Sequence, residues 1–527
     1  MNTLAGTGTL LRLALRLDRV RLSVWVIFLA IMPAATAAQY KKLYPTEQSL
    51  QAVSGVVSNP SLVALNGPLF GVSLGGLTAW KIGATEFILV ALMSLLTVVR
   101  HTRTEEETGR LELVGATVVG RYAPLTAALL AAALANVATV LLVTLGLVGV
   151  GLPVSGSLAL GAAVGLAGLV FAGVAAVAAQ LTAGARAATG IASAVLGGSY
   201  LLRAVGDTGP TWLTWISPIG WSMRMRPFAG EQWWAAGLAL GAVMALSIVA
   251  YALVGSRDVG AGLLPERPAP ATGAPALGSP FALAWRLHRG TLIGWLVGMA
   301  VTGAILSGPA NSLSDAVNLN QQVTDLLARI GGRKGLIDMY FAAVFGITGV
   351  VVAAYTVQAT LRLRAEESSG RAEPVLATPV ARIRWALSHL MFALLGTALL
   401  LAVVGVGSGL VYGLQTHDVG GQVPRLLAAA LVQLPAAWVL AGFGVALFGL
   451  APRLSSLTWA GLIACVVLLE LGAILGLSQW LVDASPFAHI PKLPGSAFTG
   501  TPLIWLTGIA AILVASGLAG FRRRDVG

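Results

Sequence analysis

Residues 123–150 read APLTAALLAAALANVATVLLVTLGLVGV and residues 158–181 read LALGAAVGLAGLVFAGVAAVAAQL, with no charged side chain in either stretch. A helix needs about 20 mostly apolar residues to cross the roughly 30 Å hydrocarbon core of a bilayer. The whole chain of 527 residues is 57% hydrophobic and 10% charged. That charge is too low for a water-soluble domain, in which about 25% of the residues are charged. The sequence therefore predicts a polytopic membrane protein.

Twelve stretches along the chain are long and apolar enough to span a membrane. We therefore predict an all-α polytopic membrane protein with twelve transmembrane helices, six in each half. The predicted spans are 22–40, 83–100, 123–150, 158–181, 187–204, 234–255, 290–308, 339–361, 385–413, 425–449, 457–477 and 503–521.

The two halves of the chain repeat several motifs in the same order. EETGRLE at Glu106–Glu112 matches ESSGRAE at Glu367–Glu373, and the RDVG that starts at Arg257 matches the RDVG that starts at Arg524. Six spans per half put both halves in the same orientation, as parallel copies in a fused pseudo-dimer. The predicted parts are a first repeat over 1–257, a Pro/Ala/Gly-rich cytoplasmic linker over 258–278 and a second repeat over 279–527.

The basic residues predict the orientation in the membrane. Of the 33 Lys and Arg residues, 22 lie in segments on the side of the N-terminus and 11 on the other side. Cytoplasmic loops carry such an excess, so both termini are predicted to be cytoplasmic. The net charge of +12 is then a topology signal, and no nucleic-acid partner is expected. Arg12, Arg16 and Arg19 share one helical face, which predicts a helix on the inner leaflet, and Ser279–Arg289 repeats this pattern.

The segment after the second span of each half is unusually rich in charge. Each has acidic residues, then Gly-Arg, one spacer and Glu, and the glycine is expected to end a short cytoplasmic helix. A solvated loop would also be charged, but orientation in the membrane requires no repeated glutamates. The pattern favours a docking surface for a partner. Its residues are Glu106, Gly109, Arg110 and Glu112 in the first half and Glu367, Gly370, Arg371 and Glu373 in the second.

These motifs resemble those of the ABC-2-type exporter permeases, in particular the twelve-span group that exports polyketide antibiotics of the tetronasin type and other drugs. The resemblance covers essentially the full length. It implies that each charged segment contains a coupling helix that docks on a separate ATPase, with two ATPase copies per chain. It further implies a bacterial plasma-membrane exporter whose cargo is hydrophobic or amphipathic, such as an antibiotic or a lipid.

The sequence is compatible with a partner that supplies the ATP chemistry. No Gly-x-x-x-x-Gly-Lys-Ser/Thr motif occurs, so this chain is not expected to be an enzyme or to hold a cofactor or metal. ATP and Mg²⁺ would bind to the partner ATPase. The alternative is an ion-coupled secondary multidrug transporter, since the major facilitator group also has two parallel sets of six helices.

The resemblance implies that the second and fifth spans of each half line the substrate pathway between the halves. Candidate wall residues, chosen by position and size, are Phe87, Met93, Tyr200, Phe345 and Glu470.

Two further features of the sequence bear on the outer membrane surface. Glu86 is expected at the outer interface. Ser217-Pro218 and Ser485-Pro486 predict breaks between short helices in the outer segments 205–233 and 478–502.

Overall fold

The computed structural model describes residues 3–57, 60–115, 118–258, 260–264, 272, 275–307, 332–471 and 478–525. The chain divides into two compact units, Met1–Ala269 and Pro270–Gly527. The boundary falls within the predicted linker, of which residues 259, 265–271 and 273–274 lie outside the described residues. In the parts that are described, both units consist of helices and loops without β-strands.

The helices of the first unit are α1 (Thr7–Leu17), α2 (Arg19–Leu43), α3 (Glu47–Val57), α4 (Pro60–Asn66), α5 (Leu74–Val99), α6 (Glu105–Glu107), α7 (Arg110–Gly115), α8 (Ala123–Val150), α9 (Val154–Leu181), α10 (Ala185–Thr208), α11 (Trp212–Ile216), α12 (Pro218–Arg224) and α13 (Trp234–Gly255). A π-helical turn, Arg100–Thr104, joins α5 to α6 without a break.

The helices of the second unit are α14 (Pro280–Ser307), α15 (Gly332–Thr360), α16 (Arg362–Ser368), α17 (Ala372–Leu376), α18 (Arg382–Thr416), α19 (Val419–Leu431), α20 (Leu434–Leu450), α21 (Leu457–Leu471), α22 (Gln479–Val482) and α23 (Thr501–Arg523). Short 3₁₀ turns lie at Pro275–Gly278, Pro452–Leu454 and Pro486–His489.

Eleven helical stretches in the described part of the chain are long and apolar enough to cross a membrane. They coincide with eleven of the twelve predicted spans, and together they make the chain a multi-pass membrane protein. The predicted span 457–477 corresponds to α21, which has 15 described residues. Because 472–477 lie outside the described residues, the twelve-span layout stays a prediction.

The amphipathic helix before the first span is a separate element in one unit only. In the first unit α1 ends at Leu17, and the buried Asp18 forms an ion pair with Arg100 (Nε to Oδ1, 3.0 Å) and a hydrogen bond with His101 Nε2 (2.8 Å). In the second unit His288 holds the corresponding place, and α14 continues through it. The segment Ser279–Arg289 is therefore helical but continuous with the next span, and its place on the inner leaflet stays a prediction.

Close helix packing in the first unit depends on glycine. Asn136 on α8 donates to Ser94 Oγ on α5 at 2.9 Å. A Cβ atom added at Gly168 on α9 would collide with Asn136 Oδ1. Small residues let helix backbones approach closely in membranes, where polar side chains can then bond across helices. α5, α8 and α9 consequently form the tight centre of this unit.

The outer segments contain the predicted breaks. Ser217 separates α11 from α12, and its hydroxyl accepts a hydrogen bond from Gly220 N at 3.1 Å. In the second unit Ser485 precedes the 3₁₀ turn Pro486–His489. A serine cap followed by proline starts a new helical turn in both places.

Candidate functional site

The charged segment after the second candidate span has the same outline in both units. α6 ends before Gly109 and α16 ends before Gly370, and these glycines have φ values of +72° and +70°. Only glycine adopts this left-handed conformation without strain, so it ends the helix and turns the chain. The predicted helix ends at Gly109 and Gly370 are confirmed.

Glu106 in the first unit lies in a nearly closed ionic site. Its carboxylate accepts from Arg257 Nη2 at 2.6 Å and Nη1 at 3.0 Å, and from Arg103 Nη1 at 2.5 Å. The side chains of Glu106, Arg257 and Arg103 are 7%, 8% and 0% exposed. Arg257 Nε also donates to Gln180 Oε1 at 2.7 Å. The glutamate therefore bonds inward to Arg257, in the segment after α13, and Arg257 in turn bonds to α9.

Glu367 in the second unit has equivalent partners. Arg524 Nη2 lies 2.8 Å from Glu367 Oε1 and 2.9 Å from Oε2, and Arg364 Nη1 donates to Oε2 at 3.0 Å. The Arg524 guanidinium also lies over the Phe448 ring, 4.9 Å from its centroid. The Glu367 side chain is 2% exposed. Charge-assisted hydrogen bonds to arginine are strong where water is excluded.

One further arginine completes the arrangement in each unit. Arg121 donates to the Arg257 carbonyl at 2.9 Å, and Arg382 donates to the Arg524 carbonyl at 2.6 Å. We use the term arginine–glutamate cage for these two sets. The cage comprises Arg103, Glu106, Arg121 and Arg257 in the first unit and Arg364, Glu367, Arg382 and Arg524 in the second. In each unit it fastens the charged segment to the end of the last helix.

The predicted docking residues divide into an inner and an outer group. Glu106 and Glu367 belong to the cage and point inward. Arg110 and Arg371 lie beyond the glycines, with 68% and 58% of their side chains exposed. Glu112 and Glu373 are exposed beside them. The surface available to a partner is thus Gly-Arg-x-Glu in each unit, and its docking role stays a prediction.

The candidate wall residues lie in different surroundings. Phe87, Met93 and Phe345 are 2%, 1% and 1% exposed, inside the hydrophobic core of their own units. Tyr200 lines a cavity of about 330 Å³ in the first unit. Glu470 belongs to α21, but its side chain lies outside the described residues. The role of these five residues in a substrate pathway stays a prediction.

The sequence analysis did not predict a buried charge cluster near the C-terminal end of α10. Arg203, which is 0% exposed, donates to the carbonyls of Val63 (3.3 Å) and Leu65 (3.1 Å) and lies 3.7 Å from Asp207. Arg224 Nη2 donates to Asp207 Oδ1 at 2.9 Å. The i, i+4 spacing of Arg203 and Asp207 was the available signal. The cluster ties α4 and α12 to α10.

Glu86 lies inside α5. It is 0% exposed, and within the described part of the chain neither carboxylate oxygen has a hydrogen-bond partner. A buried polar group without a partner loses its hydration and gains nothing in return. The Glu86 carboxyl is therefore buried among helices, and its depth at the outer membrane interface stays a prediction.

Replacing Glu86 by leucine is expected to stabilise the protein by about 1–3 kcal/mol, because an unpaired buried carboxyl is replaced by an apolar group of similar size. The check is thermal unfolding of the full chain in detergent. Glu86→Gln is the matched control and should give a smaller gain, since it leaves a polar group in place. A lower unfolding temperature for Glu86→Leu would contradict the expectation.

The long apolar helices and the paired charged segments define a multi-pass membrane protein. Residues 277–522 match the family described as "Multidrug efflux system permease Rv1217c, C-terminal domain". The "Multidrug efflux system permease protein Rv1217c" of Mycobacterium tuberculosis (strain ATCC 25618 / H37Rv) is 45% identical over 524 residues, covering 99% of this chain and 95% of that protein. The chain therefore belongs to the Rv1217c-like family of multidrug efflux permeases.

Proposed function

We propose that this chain is the membrane-spanning permease of an ATP-driven exporter, which moves hydrophobic or amphipathic compounds out of the cell. Two ATPase subunits would dock on the exposed Gly-Arg-x-Glu surfaces around Arg110 and Arg371. The ATPase subunits would hold ATP and Mg²⁺. The relative from Mycobacterium tuberculosis, a named multidrug efflux permease matched over nearly its whole length, supports the cargo class.

One observation carries the ATPase part of the proposal, namely the arginine–glutamate cage with its exposed Gly-Arg-x-Glu surface in both units. Arg110 lies 3.7 Å from Glu105 in an exposed ion pair, which contributes little to stability, so stability alone gives no reason for this arginine. Arg371 donates to the buried Glu366 at 3.0 Å, yet 58% of its side chain stays exposed. The cage couples each surface to the end of the last helix of its unit. A force applied to Arg110 or Arg371 would therefore reach the membrane helices through buried, charge-assisted bonds.

A docked ATPase would use this mechanical link as follows. ATP-driven closure of the partner displaces the Gly-Arg-x-Glu surface, and the cage transmits the displacement to α5 and α13 in the first unit. In the second unit the same displacement passes to α15 and α23. Allosteric transmission of this kind requires contiguous packed contacts, which the cage provides.

The second candidate function is ion-coupled secondary transport, and buried charges within the helices favour it. Such charges are costly in a membrane and are by default candidates for a functional role. Glu470 lies within the predicted span 457–477. The structure adds the buried Glu86 and the buried pair Arg203–Asp207. Buried charges of this kind are what an ion-coupled carrier would use.

Transport in inverted membrane vesicles separates the two candidates. We expect accumulation of a fluorescent drug to require ATP and to persist when an uncoupler collapses the proton gradient. An ATPase subunit should copurify with the tagged permease from its native host, and drug should stimulate ATP hydrolysis. Accumulation that continues without ATP but stops with the uncoupler would support the carrier instead.

A further inference from the structure

A cavity of about 330 Å³ lies within the first unit, among α2, α4, α5 and α10. Its volume is within the range of ligand pockets, roughly 300–1,000 Å³. The residues that line it all belong to this one unit. They include Met32, Gln39, Lys81, Ile82, Ile88 and Tyr200.

The cavity is polar at one end and apolar at the other. Lys81 lies seven residues after the start of α5, or about 10 Å along the helix at 1.5 Å per residue. Gln39 on α2 is close to the same end of the bundle, four residues before Leu43. Ile88 lies about 21 Å along α5, and Met32 is at a similar depth on α2. A molecule that fills the cavity would therefore be amphipathic.

The charge of the cavity is positive. Lys81 is the charged residue among those that line it, and no acidic side chain does so. Within the described residues Lys81 has no ion-pair or hydrogen-bond partner, in contrast to Lys41, which donates to the Val150 carbonyl at 3.0 Å. The Lys81 side chain is exposed beside the cavity, and its unpaired ammonium group favours anions by charge complementarity.

Hydrogen bonds hold the part of the cavity wall that α4 and α10 form. Leu65 belongs to the wall, and its carbonyl accepts from Tyr200 Oη at 2.9 Å and from Arg203 Nη2 at 3.1 Å. The Arg203 guanidinium lies over the Tyr200 ring at 4.5 Å. A wall fixed by buried hydrogen bonds reduces the entropy that a ligand loses by ordering its site.

The second unit differs at the lysine position. Arg103 and Arg364 are 261 residues apart, and the same offset pairs Lys81 with Ala342. The second unit thus has no cation at this point of α15. Lys81 therefore has no basic counterpart at the matching position of the repeat.

We infer that the cavity of the first unit binds a compact acidic amphiphile, with a carboxylate or phosphate at Lys81 and a chain or ring system against Met32, Ile82 and Ile88. This inference names the substrate class of the proposed exporter and rests on that function for its biological meaning. Cationic amphiphiles are disfavoured at this site because nothing in its lining neutralises their charge.

The test is direct binding of a dansyl-labelled undecanoic acid to the full chain in phosphatidylcholine nanodiscs. The acid should bind about tenfold more tightly than its methyl ester, since a charge-assisted contact is lost in the ester. Lys81→Gln should weaken binding of the acid about tenfold and leave the ester unchanged, and Lys81→Arg should restore it. Lys42→Gln is the matched control, because it removes the same charge from the same end of the unit but outside the cavity.

Adding phosphatidylglycerol to the nanodiscs distinguishes two sources of the anion. Displacement of the probe in the wild type, but not in Lys81→Gln, would assign the site to an anionic lipid headgroup. No displacement would assign it to a free acid. Equal affinities for acid and ester, or for wild type and Lys81→Gln, would overturn the inference. Because the assay needs no ATPase, failure of the proposed function would leave this result untouched, and the reverse also holds.

Discussion

Replacing Arg257 by alanine is expected to destabilise the first unit by about 3 kcal/mol or more and to abolish efflux, because it leaves the buried Glu106 without its main partner. The same change removes the bond from Arg257 to Gln180 on α9. The charged segment then loses its connection to the end of α13. Thermal unfolding in detergent and drug accumulation in inverted vesicles measure the two effects.

The control for this variant is Arg186→Ala, which removes an exposed arginine from the same unit. It should leave stability and transport unchanged. Arg257→Lys should fall between wild type and Arg257→Ala, because lysine keeps the charge but cannot make two parallel bonds to the carboxylate. Arg524→Ala should have the same effect as Arg257→Ala. Wild-type stability in both alanine variants would contradict the structural role of the cage.

Reversing the charge at Arg110 and Arg371 together is expected to reduce ATP-dependent efflux about tenfold or more, because like charges would then face a partner selected for arginine. Both side chains are mostly exposed and lie outside the cage, but Arg371 Nε donates to the buried Glu366 at 3.0 Å. Glu366 keeps its ion pair with Arg362 at 2.6 Å, so Arg110→Glu/Arg371→Glu should insert in the membrane with a loss of stability that thermal unfolding measures. The measurements are the amount of ATPase that copurifies with the permease and the rate of drug accumulation.

A matched double variant tests whether the position matters or only the charge. Arg186 and Arg453 are exposed, lie one in each unit and are separated by 267 residues, as Arg257 and Arg524 are. Arg186→Glu/Arg453→Glu makes the same change in net charge outside the Gly-Arg-x-Glu motifs, although the N–H of Ala185, next to Arg186, donates to Glu107 at 3.0 Å. It should retain ATPase binding and efflux. If the two double variants behave alike, the proposed docking surface is wrong.

The helices could be predicted from the sequence because their signal is local. An apolar stretch long enough to cross a bilayer has few other stable conformations, since every backbone polar group must be satisfied within the segment. The ends at Gly109 and Gly370 were equally accessible, because a left-handed turn calls for glycine. The helix at Ser279–Arg289 runs on into the next span because His288 continues the helix where the first unit has Asp18.

The cage could not be predicted from local pattern because its partners are far apart in sequence. Glu106 and Arg257 are separated by 151 residues, and Glu367 and Arg524 by 157. The internal repeat contained a clue, since both glutamates and both arginines occur in its matched motifs. The charge of Glu106 did not show whether its side chain faces a partner protein or the protein interior. Glu106 was interpreted as a docking residue because it belongs to the repeated charged motif.

The π-helical turn at Arg100–Thr104 has a consequence for changes in chain length. Such a turn takes up one more residue than an α-helical turn, so the direction of every later side chain depends on it. Deleting one residue here would rotate Glu106 by about 100°, away from Arg257 and towards the outside. Natural variants and engineered chains should therefore tolerate insertions and deletions in the proline-rich linker but not in these five positions.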